Sequence, residues 1–459
     1  MKKSDFPHHI FREYDIRGLA DTEVTEAFAT CLAQTFTRFL PAPTTAPIVV
    51  GRDVRLSGLK LQQALIQALL EQGFDVVDVG MVPTPLVYYA VHQWDAAGCM
   101  MVTASHNPAE YNGFKMMAGK DSLHGKDIQK LKALMLEPHA HVSQKQGHLS
   151  EVNVLPDYTR FVTQDCPLDR RLKVVIDAGN GPSGVVASPI YRALGCEVIE
   201  LYCEPDGRFP NHHPDPTIEE NLRDMAAKVR ETGADLGIAF DGDGDRIGVV
   251  DEKGEVIRAD MLLLLLARQL LKQYQGATII SEAKSSQLLY EDIQAKGGKA
   301  VMWRTGHSLM KAKMKETGAL LAGEMSGHFF FADRFFGFDD AVYAGARLMQ
   351  LLAEQNQPLS TLLDDVPKVV NTPEIIVACP DEVKFAVVEK AKIYFAKDDC
   401  EMIEVDGMRL VFDDGWALLR ASNTQPALTL RFEAKNNKYL TQLQDKLMQW
   451  LEKNFLNNG

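Results

Sequence analysis

Short apolar runs alternate with helix-period patterns along most of this chain, and the alternation restarts twice before it changes character. The first series holds strand-like runs at Pro47 to Val50, Phe74 to Val79 and Gly98 to Val102, with a helix opening at Ser57 and closing before Gly73. The rhythm restarts at Lys173 to Ile176, with a helix after Pro182 and runs near Cys196 to Leu201 and Leu236 to Phe240. It restarts again at Ala277 to Ile280, Ala300 to Trp303 and Ala319 to Leu321. Strands separated by helices of this length form βαβ units, because a parallel neighbour needs a long crossover. After Pro367 the pattern is one helical stretch, then close-set strands near Met408 to Phe412, Ala417 to Arg420 and Leu428 to Glu433, and an amphipathic helix over Lys438 to Lys453. That spacing predicts a smaller α+β unit. The expected class is α/β, with mixed, mostly parallel sheets followed by the α+β unit. The expected boundaries give units at 1–150, 151–254, 255–367 and 368–459. The first break lies in the polar stretch Glu137 to Ser150, whose three histidines lack regular metal spacing.

Composition narrows the partners. The formal net charge is −13, so nucleic acid and anionic membranes are repelled at long range. A phosphorylated ligand is repelled too, so any phosphate site must be a local cluster of Arg, Lys and backbone N–H groups. The seven cysteines are scattered without a C-x-x-C pair, which predicts reduced thiols in a cytoplasm. Met1 to Asp15 has no apolar stretch behind its lysines, so no signal peptide is expected. The longest apolar run, Met261 to Ala267, is too short to span a bilayer and reads as a buried helix.

Asp241-Gly-Asp-Gly-Asp-Arg246 follows the run Leu236 to Phe240. In an extended loop, side chains at i, i+2 and i+4 point to one side. Three converging carboxylates need a cation, and hard oxygen donors favour Mg²⁺ or Ca²⁺. An EF-hand is disfavoured, because its sixth position needs a glycine and here holds Arg246. Thr103-Ala-Ser-His-Asn-Pro108 follows Gly98 to Val102, which places Ser105 at the carboxyl end of a strand, where open α/β sheets build their sites. Such a serine can carry a phosphoryl group, or it can simply cap a turn. Lys115 lies close enough in sequence to reach the same loop.

Gly323-Glu-Met-Ser-Gly-His328 follows another strand, and Glu324, Ser326 and His328 could hydrogen-bond sugar hydroxyls; a turn capped by the glutamate is the bland alternative. Arg420-Ala-Ser-Asn-Thr424 with Arg431 is the basic, hydroxyl-rich cluster that the charge argument requires. Arg420, Ser422, Asn423, Thr424 and Arg431 could cradle a phosphate. Tyr14 and Arg17 could reach a phosphate from the amino-terminal segment, while Lys284 and His307 each lie just after a strand and taken singly read as surface residues. Gly179 to Gly184 matches the G-x-G-x-x-G dinucleotide fingerprint. Pro182 removes an N–H that a pyrophosphate would use, so a tight strand-to-helix turn is the preferred reading over a dinucleotide-dependent oxidoreductase.

Together these motifs resemble the α-D-phosphohexomutase superfamily, in family order from Tyr14 to Arg431, and most of all its bacterial phosphomannomutase/phosphoglucomutase branch. Met325 fits that branch, whereas phosphoglucosamine mutases usually carry Gln there and Ser at the position of Thr103. The resemblance implies four domains around a central cleft, the first three alike, each giving one loop to the site. It implies a phosphoserine at Ser105, Mg²⁺ on Asp241, Asp243, Asp245 and the Ser105 oxygen, and a hexose 1,6-bisphosphate intermediate. Lys115, His307 and Arg17 are then candidates for acid–base work, and Arg246 adds charge near the transferred group. The expected partner is a phosphosugar alone, and the expected state a monomer.

Overall fold

The computed structural model describes residues 6–40, 45–137, 143, 145–423 and 425–455. Its first sheet centres on Ile48–Arg52, parallel to Val76–Met81 and Gly98–Val102. Tyr111–Ala118 then returns antiparallel to Gly98–Val102, and Ile16–Leu19 pairs antiparallel beyond it. Leu149–Glu151 closes the far edge in parallel with Val76–Met81.

The second sheet repeats this plan. Lys173–Asp177 lies in parallel between Glu197–Leu201 and Leu236–Phe240, and Ile247–Asp251 returns antiparallel to the last. Val256–Ile257 folds back onto Ile247–Asp251, so this sheet extends past the turn at 251–255. In the third sheet Thr278–Glu282 lies between Lys299–Trp303 and Leu321–Gly323, and Phe329–Phe331 is the antiparallel return. Gly98–Val102 and Leu236–Phe240 are buried at every residue, as expected for strands covered by helices on both faces.

The repeat fixes where chemistry can sit. In all three sheets a strand of the parallel core turns back into an antiparallel neighbour. That turn carries residues 103–110 in the first sheet, 241–246 in the second and 324–328 in the third.

The fourth sheet is antiparallel throughout. Glu401–Ile403, Met408–Phe412, Gly415–Ala421 and Ala427–Ala434 form a meander, and Ile375–Ala378 pairs with the last strand. Lys384–Phe395 and Asn437–Asn454 bury apolar side chains against this sheet in a core of their own. The first three units share one continuous core that runs from Val49 to Leu359, beside smaller cores of their own. Its keystone is the helix Ala341–Gln355, buried along nearly its whole length. Gly345 is small for a reason, because a Cβ there would lie 2.1 Å from the Tyr191 hydroxyl. The apolar run at Met261 falls in the helix Ala259–Gln273, with Leu262 through Ala267 buried. Among the described residues, no helix is long and apolar enough to cross a membrane.

Candidate active site

The Asp241 loop is a tight connection between antiparallel strands, with Phe240 paired to Ile247. Its backbone is held from within. The Asp241 Oδ1 accepts from the amides of Gly244, Asp245 and Arg246 at 2.9, 3.1 and 3.2 Å. Gly244 sits at φ +76°, where a side chain is strained. A Cβ on Gly242 would come within 2.5 Å of the Ser105 carbonyl oxygen, so only glycine lets the serine loop approach. Residues from the first unit clasp the same loop. Thr84 donates its amide to the Asp243 carbonyl at 2.8 Å and its hydroxyl to Asp243 Oδ2 at 2.5 Å.

The approach places Ser105 Oγ 2.8 Å from Asp241 Oδ2, as donor to it. Ser105 is buried and adopts φ +51°, a left-handed conformation that costs a non-glycine residue on the order of 1 kcal/mol or more. Lys115 Nζ donates to Asp243 Oδ2 at 2.8 Å and also reaches Asp245 Oδ2. Burial opposes the lysine charge, but the carboxylates of Asp243 and Asp245 outweigh it and hold the ammonium above its usual pKa. Arg17 pairs with Asp15 and donates to Asn107 Oδ1 at 2.9 Å, on the far side of the serine loop.

Three buried carboxylates face a single ammonium here. Burial, and then its two neighbours, push Asp241 well above the usual carboxylate pKa. One ligand oxygen from each of Asp241, Asp243 and Asp245 lies within 4.8 Å of the others. Asp243 Oδ1 is buried without a hydrogen-bond partner among the described residues, and such an atom has to be satisfied by something. Hard donors, surplus negative charge and an unsatisfied oxygen fit a divalent cation. A second group, Asp245, His328 and Asp339, is also close enough to hold a metal. There the imidazole lies between Asp245, at 3.3 Å, and Glu324, at 3.1 Å. Burial disfavours its charge, yet Asp245 and Glu324 raise His328 to about 9.

The third unit's loops are knitted to this centre. Arg246 Nε reaches His328 Nε2 at 3.3 Å, and Ser326 Oγ lies 2.9 Å from His328 Nδ1. Glu324 Oε1 accepts the Gly306 amide at 2.5 Å. His307 stacks on His328 with ring centroids 5.4 Å apart, and its Nδ1 lies 3.1 Å from Asp339 Oδ2. Burial lowers the His307 pKa despite Asp339, and its Nε2 is buried with no partner among the described residues.

The fourth unit arrives through polar contacts. Arg420 Nε donates to Asp406 Oδ2 at 2.9 Å, and the Thr305 amide donates to the same oxygen at 3.1 Å. The Tyr14 hydroxyl donates to the Thr305 carbonyl at 2.6 Å and accepts from Asn423 Nδ2 at 3.1 Å, so it ties three units together. Lys284 lies between Glu282, 3.5 Å away, and Glu374. The Ser422 carbonyl accepts from Lys384 Nζ at 2.5 Å, and its hydroxyl accepts from the Gln425 amide at 3.1 Å. Arg431 is buried, and its Nε has no partner among the described residues. Thr424 lies outside the described residues.

Sequence reading missed several groups. Asp53 and Arg55 form a fully buried ion pair beneath the serine loop. Glu282 accepts the Met325 amide at 2.6 Å and the Thr305 hydroxyl, joining the two loops of the third unit. Asp339 and Asp406 anchor His307 and Arg420. The one available signal was position, since Asp53 and Glu282 each stand at or just beyond the end of a parallel strand. The glycine-rich turn at 179–184 packs against the metal loop: Gly181 lies beside the Asp241 and Gly242 carbonyls, and Gly184 against the Cys203 backbone. It serves as a close-packed turn.

Comparison with known proteins agrees with this geometry. Phosphoglucomutase/phosphomannomutase alpha/beta/alpha domains I, II and III match residues 8–139, 156–254 and 258–370, and the C-terminal domain matches 374–449. A phosphomannomutase/phosphoglucomutase of Pseudomonas syringae pv. tomato is 46% identical, over 95% of this chain and 94% of its own. A phosphoglucomutase of Neisseria gonorrhoeae is 43% identical over 97% of both. The crystal structure of a Burkholderia thailandensis phosphoglucomutase/phosphomannomutase family protein superposes with a TM-score of 0.91 at 43% identity, covering 98% of each chain. Four domain matches in order over nearly the whole length, and relatives of this identity, establish that the chain belongs to the phosphoglucomutase/phosphomannomutase family of α-D-phosphohexomutases.

Proposed function

We propose that this chain interconverts hexose 6-phosphate and hexose 1-phosphate, of mannose, glucose or both, with Ser105 as phosphoryl carrier and a hexose 1,6-bisphosphate as intermediate. The observation that carries the reading is Ser105 Oγ, buried and 2.8 Å from Asp241, where loops of the first three units converge; the fourth unit's arginine loop reaches the first and third units through Tyr14 and Asp406.

Phosphoryl transfer needs alignment and charge neutralisation more than covalent chemistry. A bound Mg²⁺ on Asp241, Asp243, Asp245 and the Ser105 oxygen would supply most of that neutralisation. Lys115, Arg17 and Arg246 add positive charge around the transferring group. In one half-reaction the Ser105 Oγ–P bond breaks, a P–O bond forms to the free sugar hydroxyl, that hydroxyl loses its proton, and the departing Ser105 Oγ takes one up. The second half-reaction reverses this with the other phosphate. Of the three acid–base candidates, Lys115 and Arg17 are held charged by carboxylates, whereas His307 presents a neutral imidazole with an unpartnered Nε2. His307 is therefore assigned the proton transfer.

Arg420, Ser422, Asn423, Thr424 and Arg431, with Tyr14 and Lys284 alongside, grip the phosphate that does not react. Glu324, Ser326 and His328 read the sugar hydroxyls, with the carboxylate already oriented by Gly306 and His328. Every loop comes from one chain, so a monomer suffices. Seven scattered cysteines without a C-x-x-C pair suit a reducing cytoplasm.

Steady-state assays with glucose, mannose and glucosamine 1-phosphates, side by side, test the substrate class. Turnover of glucose or mannose phosphate is expected, with glucosamine phosphate poor; a preference for glucosamine phosphate would overturn the assignment. Ser105→Ala should lower kcat by about 10³-fold or more, and undiminished activity would remove the carrier role.

A further inference from the structure

Beneath the serine loop lies a buried guanidinium that touches neither the sugar loop nor the phosphate grip. Arg55 is 1% exposed. Its Nη1 donates to the carbonyls of Pro108 and Tyr111 at 2.6 and 2.8 Å. Its Nη2 donates to the carbonyls of Ser105 and Asn107 at 2.8 and 2.5 Å. One planar fork thus satisfies four carbonyls of a loop whose residues follow it by about fifty positions, which a lysine ammonium, with three donors at a point, does not reproduce.

The other backbone group of Ser105 ends on the same ion pair. The Ser105 amide donates to Thr103 Oγ1 at 2.9 Å, and that hydroxyl donates to Asp53 Oδ2 at 2.8 Å. Asp53 in turn accepts from the Arg55 amide at 2.9 Å and its Nε at 3.2 Å. Both the N–H and the C=O of the strained serine are therefore fixed by Asp53 and Arg55. On its opposite side the Ser105 carbonyl is pressed against Gly242, close enough to exclude a Cβ there. Phe209, from the second unit, closes the assembly with its ring centroid 5.3 Å from the guanidinium carbon.

We propose that Arg55 is a positioning residue for phosphoryl transfer, holding Ser105 in its left-handed conformation and in register with the Asp241 loop. The proposal rests on the carrier role given to Ser105 above. The carbonyl wedged between the guanidinium and Gly242 sets where Oγ stands relative to Asp241. Releasing it lets the serine relax toward ordinary backbone angles and swings Oγ away from the metal loop. Phosphosugar binding depends on other loops, so the loss belongs to the transfer step.

The test uses full-length enzyme with Mg²⁺, loaded by labelled glucose 1,6-bisphosphate, and measures single-turnover discharge of the label to glucose 6-phosphate beside steady-state kcat and KM. Rates are normalised to phosphoserine content. Arg55→Lys should slow discharge and kcat by about 10²-fold with KM nearly unchanged, since an ångström of misplacement is worth about that much. Added guanidinium should partly restore Arg55→Ala and leave the wild type unaffected. A merely structural role would lower the melting temperature and the active fraction, but the phosphorylated fraction would discharge at the wild-type rate. That result, or a loss carried by KM, overturns the proposal. Should Arg55 variants not fold, Thr103→Val decides: a kcat-selective loss of about 10-fold is expected, and an unchanged discharge rate overturns the proposal. A wild type that takes no label on Ser105 refutes the carrier reading itself, which separates the two failures.

Discussion

The serine and aspartate loops meet backbone to backbone inside units that share an apolar core, whereas the fourth unit keeps its own core and meets the others through a few buried hydrogen bonds and a small apolar cluster. Gly242 lets the two backbones touch, and the units bearing those loops share one apolar core. The fourth unit keeps a separate core. It meets the third through Arg409, which donates to the Ala283 and Ser285 carbonyls at 2.6 and 2.8 Å, and through a small apolar cluster at Ala283, Trp416 and Leu418. It reaches the first through the Tyr14 hydroxyl. The contrast separates two tasks. Transfer needs a fixed geometry, and a substrate that turns over between half-reactions needs a grip that can let go and re-form.

Gly242→Ala attacks the rigid half. Its Cβ would displace the Ser105 carbonyl, and kcat should fall by about 10²-fold with KM little changed; an active Gly242→Ala enzyme would show that the two loops need no close contact. Arg420→Ala attacks the grip. Removing a charged donor should raise KM by about 10-fold or more for hexose 1- and 6-phosphates alike, and a loss confined to one isomer would contradict a shared cradle. Tyr14→Phe loosens the fastening alone. One lost hydroxyl is worth roughly 0.5–1.5 kcal/mol, so KM should rise about 2- to 10-fold; a large drop in kcat would instead place Tyr14 in the rigid half.

The smallest effect is in pH. Burial holds His307 below the ordinary histidine pKa, so it is neutral above about 6.5 and gains its proton only under more acidic conditions. The acid limb of kcat should therefore lie below that value and vanish in His307→Gln. The unfolded chain takes up the proton first, so this group lowers stability as pH falls through the same window. An acid limb at or above pH 7 would assign the proton transfer elsewhere.

Much of this was legible in the chain because its chemistry is local. The three carboxylates do come together, although in a hydrogen-bonded turn rather than the extended loop their spacing suggested, and Gly98–Val102, Leu236–Phe240 and Met408–Phe412 have the bounds their apolar runs suggest. The groups that escaped notice depend on distant partners. Asp53 and Arg55 belong to none of the motifs singled out in the sequence, and only the carbonyls of Ser105 to Tyr111 explain why Arg55 is buried. Ile247–Asp251 and Phe329–Phe331 are short returns hidden behind the motifs they follow. The helix Ala341–Gln355 sets Arg347, Gln350 and Glu354 along one side, and only the core around it explains why Arg347 and Gln350 are buried.

Labelling tests the central claim most directly. After incubation with glucose 1,6-bisphosphate labelled in its phosphates, digestion and peptide mass analysis should find one label per chain, on the peptide containing Ser105. Unlabelled glucose 6-phosphate should then chase it into free sugar phosphate. Turnover with no label on Ser105, or a label that the sugar phosphate does not remove, would contradict the account.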